Sequence, residues 1–481
     1  VIECLPSGLR LGRCRGASLL QVGKEVFVGT GRESSLALES GSRVAVIGGG
    51  PAGSFFSYFV LDIAYRVGLD IQVDIYEPRN FSSFGPAGCN MSGCIISEPL
   101  VQMLAAEGIN LPPGVVRRGI DSYLLHMDVG NVRIETPLRE MRIASVHRGA
   151  GPRGMKETKW RGFDGYMLEL AVGKGANLIS NRIEGVTWDG SRPQVRGRDG
   201  VPKSYDLLVG AFGVNTGAQK LFEGSAITYL APATTKSHIR EFLIGEESLD
   251  RYLGSSIHIF LPHIPRLDFA CLIPKGDFAT MCLLGEDIDE ELAQSFMKTR
   301  EFRECLPPEA ISQECCRCYP RLNIRGTGEP YADRVVFIGD SGITRLYKDG
   351  IGAAYRTAKA AAVTAVFHGI SAGDFRDHYW PVCQGFLRDN RLGRVVFTAT
   401  ELIQKRRFAR RGLLRTVSNE QKKKGAQRRM SMVLWDTFTG SAPYREVFKR
   451  TLHPGLTAGF LGNVAIGCWP SKRGDSGEHK P

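Results

Sequence analysis

The chain is 481 residues long, 43% apolar and 23% charged, which excludes a mainly disordered protein and suggests two or three domains. Its net charge is +12, but residues 401–430 alone hold 11 Lys or Arg against Glu401 and Glu420. The remainder is close to neutral, so a wholly basic nucleic-acid-binding surface is excluded.

Twelve cysteines are too few for a disulfide scaffold. No apolar run reaches the length of a membrane span; the longest, Leu456 to Trp469, contains glycines. The first residues show no basic start, apolar stretch and small-residue cleavage site, so no secretory signal is expected. The expected compartment is reducing and cytoplasmic.

In chain order, residues 1–42 are Gly/Ser-rich and read as an extension. Arg43–Ile47 is a short β-branched run that predicts a buried strand. It enters Gly48-Gly49-Gly50-Pro51-Ala52-Gly53, followed by helical spacing over Ser54–Val67 and a second strand, Ile71–Tyr76, ending at Glu77. Strand, glycine turn, helix, strand and acid together are the dinucleotide-binding pattern. Gly48 makes the tight turn, Gly50 admits a pyrophosphate to the backbone, and Gly53 lets helix and strand pack closely. The helix start offers free N–H groups to the phosphates, and Glu77 can accept from the ribose hydroxyls.

Further along, Tyr205–Gly213 predicts a strand running into a glycine turn. Ser256–Leu261, Phe269–Ile273 and Phe278–Leu284 predict strands of an antiparallel sheet. Arg334–Gly352 predicts a strand ending in Gly339-Asp340, then a Gly350-Ile351-Gly352 turn that opens an Ala-rich helix, Ala353–Phe367. A carboxylate at a strand end can hold a ribityl chain, and the helix start can present N–H groups to a flavin ring. His126 and His258 read as isolated structural histidines. Cys305, Cys315, Cys316 and Cys318 lack paired C-x-x-C knuckles, so no metal site is expected.

The N-terminal Gly-x-Gly-x-x-Gly with a Gly-Asp some 290 residues later resembles FAD-dependent oxidoreductases of the glutathione-reductase and para-hydroxybenzoate-hydroxylase superfamily. No second Gly-x-Gly-x-x-Gly lies in residues 90–330, which disfavours the disulfide reductases with their separate nicotinamide domain. Within the hydroxylase-like fold the chain resembles the geranylgeranyl reductase family over roughly residues 43–370. Phe269-Ala-Cys-Leu-Ile-Pro-Lys-Gly-Asp277 and Arg161-Gly-Phe-Asp164 carry that likeness. Cys271 stands for a Trp, Phe269 for a Tyr, and Tyr347 for a Pro of the family pattern. Phe212-Gly213 replaces the hydroxylases' Asp-Gly.

The resemblance implies an α/β fold: a discontinuous Rossmann-type FAD-binding domain (43–230 plus 330–370) with an inserted antiparallel-sheet substrate domain (231–329); residues 371–481, beyond it, read as a helical, basic C-terminal region. It implies FAD contacts from Gly48, Gly50, Pro51, Ala52, Gly53, Glu77, Cys89, Arg161, Val186, Gly339, Asp340, Gly350, Gly352 and Ala353. It also implies a substrate clamp at Phe269 and Cys271. The segment Gly88-Cys-Asn-Met-Ser-Gly-Cys94 matches the family's flavin-lining cysteine region, which makes Cys89 and Cys94 the catalytic candidates. Their C-x4-C spacing also fits a redox pair. With Ser97 capping a helix over Glu98–Glu107, Cys94 would feel the helix start.

The expected activity is reduction of C=C bonds of a prenyl- or polyene-like, lipid-like substrate by hydride from reduced flavin. NAD(P)H, ferredoxin or a quinol would be the electron donor. An aromatic-hydroxylating monooxygenase and a flavin-holding docking protein are the alternatives. A halogenase is disfavoured by the lack of Trp-x-Trp-x-Ile-Pro. In residues 401–417, Leu402, Ile403, Ala409, Leu413, Leu414 and Val417 share an arc of about 140° on a helical wheel, interrupted by Arg406 and Arg410 and weakened by Gly412. This ragged amphipathic element predicts docking of 401–430 to an anionic membrane, on its cytoplasmic face, or to an acidic carrier.

Overall fold

The computed structural model describes residues 36–84, 94–136, 141–152, 161–222, 227, 229–312, 316–422 and 428–468. Cys89 and most of the N-terminal extension lie outside the described residues. The strands that position the site are, in chain order, β1 (Arg43–Ile47), β2 (Gln72–Tyr76), β3 (Ser122–Met127), β4 (Gly130–Glu135), β5 (Asn177–Ile179), β6 (Leu207–Gly210), β7 (His238–Leu243), β8 (Ser256–Phe260), β9 (Leu267–Lys275), β10 (Phe278–Gly285), β11 (Cys316–Cys318), β12 (Tyr331–Ala332) and β13 (Val335–Phe337). The helices are α1 (Pro51–Arg66), α2 (Glu98–Ala106), α3 (Phe163–Gly173), α4 (Glu290–Met297), α5 (Gly350–Phe367), α6 (Trp380–Lys405), α7 (Arg407–Lys422), α8 (Arg429–Thr439), α9 (Tyr444–Thr451) and α10 (Pro454–Cys468).

The first sheet runs β12-β13-β6-β1-β2-β5, parallel except for the β12–β13 pair. The central β1 is Val-Ala-Val-Ile after one Arg because both of its faces are covered, as parallel sheets require. Gly48, at φ +108°, turns the chain out of β1, and a Cβ there would stand 2.5 Å from the Ala211 carbonyl oxygen. Pro51 opens α1 at a position where a missing N–H costs nothing. A Cβ on Gly53 would collide with the Gly48 carbonyl oxygen, so glycine there sets how closely the helix sits on the turn.

The second sheet runs β11-β7-β10-β9-β8-β3-β4, antiparallel except where β8 and β3 pair in parallel. It draws β3 and β4 from residues 122–135, inside the stretch the sequence assigns to the cofactor domain. The period of two separates its faces. Ile257, Ile259, Phe269, Cys271, Ile273 and Cys282 face one core, which they share with residues of α6 to α9. Phe260, Leu272, Met281 and Leu283 face a second core, closed by Leu292 and Phe296 of α4.

The basic strip is a packed part of the body. Arg406, with extended backbone (φ −119°, ψ 111°), breaks the predicted single helix into α6 and α7. Ala409, Leu413, Leu414 and Val417 are buried, and the latter three join the core against the second sheet. Burying each of those leucines and valines is worth about 2 kcal/mol, so this arc is not free to enter a membrane. Arg410, which interrupts the arc on the wheel, is itself buried and grips Asp128 with two hydrogen bonds of 2.6 and 2.8 Å. Gly412 marks where α10 crosses α7: a Cβ there would come within 2.5 Å of Val464.

Candidate active site

Two cavities meet along the carboxyl end of the first sheet. The larger, about 570 Å³, is bounded by Gly48, Glu77, Arg79, Asn181 and Ile183. The smaller, about 240 Å³, runs from Gly50, Pro51 and Ala52 past Asp340 to Cys271, Cys282 and Lys348. Arg79, Phe212, Asn215 and Thr216 line both, so the two form one elongated cleft over the glycine turn.

Glu77 is buried at the end of β2. Its carboxylate accepts the Gly49 N–H at 3.0 Å and the Arg79 backbone N–H, Nε and Nη2, each at 2.9 Å. The acid thus ties the turn to an arginine. Arg79 and Arg148 reach Gly50 together: their Nη2 atoms lie 3.9 and 3.7 Å from the place a Cβ would occupy. Two guanidiniums flanking the start of α1, whose first N–H groups lack helical acceptors, form a cradle for a doubly charged phosphate group. Arg148 is held by Asp164, buried in the first turn of α3, at 2.5 Å. Burial opposes the charge of Arg148, but the Asp164 carboxylate outweighs it and raises the guanidinium pKa.

Arg161, expected at the cofactor, points outward, 64% exposed, and pairs with Glu169 at 2.6 Å. The Arg-x-x-Phe-Asp element turns Phe163 and Asp164 inward, and Asp164 recruits Arg148 instead. Val186 belongs to the core beside Ile183 and Val195; Ile183 lines the cleft and Val186 does not.

At the far end, Gly339 takes φ +59°, and a Cβ there would press on the Cβ of Ala52 at 2.7 Å. Asp340 follows and lines the cavity, with burial raising its pKa against Thr344 and Arg148. Gly350, Ile351 and Ala354 of α5 also line it, whereas Gly352 and Ala353 do not. Gly352 is bare for another reason: a Cβ would collide with the Asp349 carboxylate, which folds over the helix start. That carboxylate accepts the Ser97 hydroxyl at 2.7 Å and pairs with Arg345 at 3.2 Å. Ser97, predicted to cap α2, therefore spends its hydroxyl on α5 and makes no side-chain cap.

Cys94 is buried, has φ +51° and lines the cavity beside Ile95. Tyr347 (φ +57°) and Asp349 (φ +52°) line it too. Left-handed backbone at three bulky or polar residues around one cavity is stored strain of the kind that gathers at functional sites.

The remaining wall is mostly apolar: Ile273, Leu284, Tyr347 and Phe438, with Cys271 and Cys282 directly opposite each other on β9 and β10. Cys282 hydrogen-bonds Cys271 and, against burial, lowers its pKa, while its own rises. Lys348 lines this end with its Nζ 4.0 Å from the Phe269 ring centroid. Burial pulls its pKa down to about 8. Phe269, expected to touch substrate, sits behind the wall, stacked on Phe397 and beneath Lys348, while Cys271 is on the wall itself. Arg79, Arg148, Cys282 and Lys348 were not among the expected residues. Arg79 is two residues beyond Glu77 and Lys348 lies in the Gly-Asp segment, so for these two a local signal existed.

No protein-family model matches the chain, and no curated protein matches it. Solved structures do. A geranylgeranyl bacteriochlorophyll reductase-like protein from Thermoplasma acidophilum superposes with a TM-score of 0.60 at 15% identity, covering 86% of this chain and 99% of that one. A flavoprotein/dehydrogenase from Cytophaga hutchinsonii gives 0.57 at 13% identity, covering 89% and 100%. p-Nitrophenol 4-monooxygenase from Pseudomonas putida gives 0.55 at 12%, covering 89% and 98%. The chain therefore has the fold shared by geranylgeranyl-reductase-like and monooxygenase flavoproteins.

Proposed function

We propose that this protein is an FAD-dependent oxidoreductase that reduces carbon–carbon double bonds of an apolar, prenyl- or polyene-like compound. The observation that carries the reading is the continuity of an anion cradle with a largely apolar wall beside which stands a tunable acid, Lys348. The cradle fits a dinucleotide: Gly50 leaves its Cβ space open between two guanidiniums, and Glu77 borders the larger cavity. Arg79, Arg148 and the start of α1 would hold the pyrophosphate, Glu77 the ribose, and Asp340 with the start of α5 the ring end. FAD, when bound, supplies the hydride.

The chain's own residues supply the rest. Ile273, Leu284 and Phe438 exclude water and seat a neutral substrate. An isolated double bond needs a proton as well as a hydride, and a lysine with pKa about 8 is charged at neutral pH yet close enough to it to give the proton up. The fold likeness to a geranylgeranyl bacteriochlorophyll reductase-like protein supports this reading, and the p-nitrophenol monooxygenase names its rival. Electrons arrive from a transiently bound donor: NAD(P)H, ferredoxin or a quinol.

The substrate's home suggests an anionic membrane surface. α7 exposes Arg407, Arg411 and Arg415, and α10, packed along it, exposes Leu461 and Ile466. The apolar contact is thus α10 rather than the buried arc of α7. Among the described residues no helix is long and apolar enough to cross a membrane.

The test is product mass. Reduced, FAD-loaded protein incubated with a polyprenyl compound in air-free buffer should add two hydrogens per reduced bond. Consumption of an aromatic substrate only in oxygen, with one oxygen atom added, would replace this reading by the monooxygenase one.

A further inference from the structure

The face of the second sheet turned away from the cavity buries a separate polar cluster. β3 and β8 are parallel neighbours, registered so that His126 stands opposite Phe260 and His258 opposite Leu124. This brings together two histidines 132 residues apart: Nε2 of His126 lies 3.1 Å from Nδ1 of His258. Cys305, just beyond the short helix Arg300–Arg303, adds its Sγ at 3.3 Å from that Nδ1 and 3.7 Å from that Nε2. All three side chains are buried.

The dimensions are those of one face of a tetrahedral metal site. Zinc bonds of about 2.0–2.1 Å to nitrogen and about 2.3 Å to sulfur, at tetrahedral angles, require N···N of about 3.3 Å and N···S of about 3.6 Å. The three observed separations fall within about 0.3 Å of those values. A hydrogen-bonded core triad is the competing description. It leaves the thiol divided, because the Sγ also lies 3.1 Å from the Glu301 carbonyl oxygen. The His258 ring also donates to the Leu253 backbone, and a ligating imidazole commonly spends its second nitrogen in this way. Glu301 and Glu304 set negative charge near Cys305, against Arg133 near His258.

We propose that His126, His258 and Cys305 form a zinc site that pins the α4-to-Cys305 segment to the back of the substrate sheet. Two imidazoles and a thiolate select a borderline transition metal over calcium or magnesium, which take oxygen. Loading releases the Cys305 thiol proton to solvent, moves the His126 proton off Nε2 and changes no oxidation state. Water or the Glu301 carbonyl oxygen takes the fourth position. The site is independent of the flavin reading: β8 residues alternate, with Ile259 facing the cavity-side core and His258 facing the other. Its role is structural, as metal binding is coupled to folding.

The full chain, stripped with a chelator, is titrated with zinc against a chromophoric competitor and separately with cobalt(II). The expected results are one zinc per chain, an upward shift in Tm, and an intense thiolate-to-cobalt band. Cys305→Ser should abolish the band and weaken zinc binding by more than the roughly 10–100-fold that a second-shell partner is worth. Cys282→Ser, which alters a thiol on the other face, should leave both unchanged. Two results overturn the proposal: a band that survives Cys305→Ser, or a stripped wild-type chain that takes up no stoichiometric zinc. The second needs no variant, so a misfolded Cys305→Ser protein does not remove the test.

Discussion

Replacing Lys348 by methionine should make the protein more stable and less active at once. Its ammonium sits between the rings of Phe269 and Phe438, 4.0 and 5.5 Å from their centroids, and burial lowers its pKa from 10.5 to about 8. At 1.36 kcal/mol per pKa unit, holding that charge in the folded state costs about 3 kcal/mol below pH 8. Part of this is relieved by solvent in the cavity, and the methionine variant also loses a cation–π contact of about 1 kcal/mol. The net gain at pH 7 is therefore about 1–2 kcal/mol. The sign with pH follows from proton counts. Between the folded pKa and 10.5 the unfolded chain binds more protons, so wild-type stability rises across that window and the variant's advantage fades by about pH 10. Urea unfolding of both proteins at pH 7 and pH 10 measures the effect as midpoints at constant m. Turnover of the variant should fall at least ~100-fold, in line with loss of a positioned acid. A variant less stable than wild type at pH 7, or an advantage that does not change with pH, would refute the burial of a charged ammonium.

Gly53→Ala puts a methyl group onto the Gly48 carbonyl oxygen and should lower stability by at least ~2 kcal/mol while abolishing FAD retention, read from Tm and from visible absorbance after gel filtration. Arg410→Ala strands a half-exposed Asp128 and removes a buried fork; it should cost about 1–3 kcal/mol in urea unfolding, and Asp128→Asn should cost less. Leu461→Ser with Ile466→Ser should reduce co-sedimentation with anionic vesicles, and neutralising Arg407, Arg411 and Arg415 should remove its salt dependence. Binding unchanged by both sets would end the membrane proposal.

The sequence is most legible where contacts are local. β1, the glycine turn, α1, β2 and Glu77 occupy thirty-five consecutive residues, and their spacing alone predicts the turn geometry observed. Arg148 reaches Gly50 across almost a hundred residues, through an ion pair with Asp164 that no periodicity encodes. The family resemblance suggests Arg161 for that task, but which arginine turns inward depends on how α3 seats its first turn. The arc on α7 shows the same limit in another form. Hydrophobic period says that a face is apolar and does not say what covers it; here the second sheet covers it, with Arg410 answered by Asp128 from the loop between β3 and β4. His126, His258 and Cys305 have no motif spacing at all: strand pairing makes the two histidines neighbours, and the turn after the helix Arg300–Arg303 brings Cys305 to them.

Phe438 and Thr439, at the end of α8, close one wall of a cavity whose other walls come from residues around 50, 94, 271 and 348. A nascent chain can therefore finish that chamber only after about 390 residues beyond the glycine turn have been translated, which at about 5–20 residues per second takes on the order of 20–80 s. Until then the Cys271, Ile273, Cys282 and Leu284 side of β9 and β10 lacks the cover that α8 supplies. Order of synthesis thus acts as a timer, and a prematurely terminated chain holds no closed chamber in which to do chemistry.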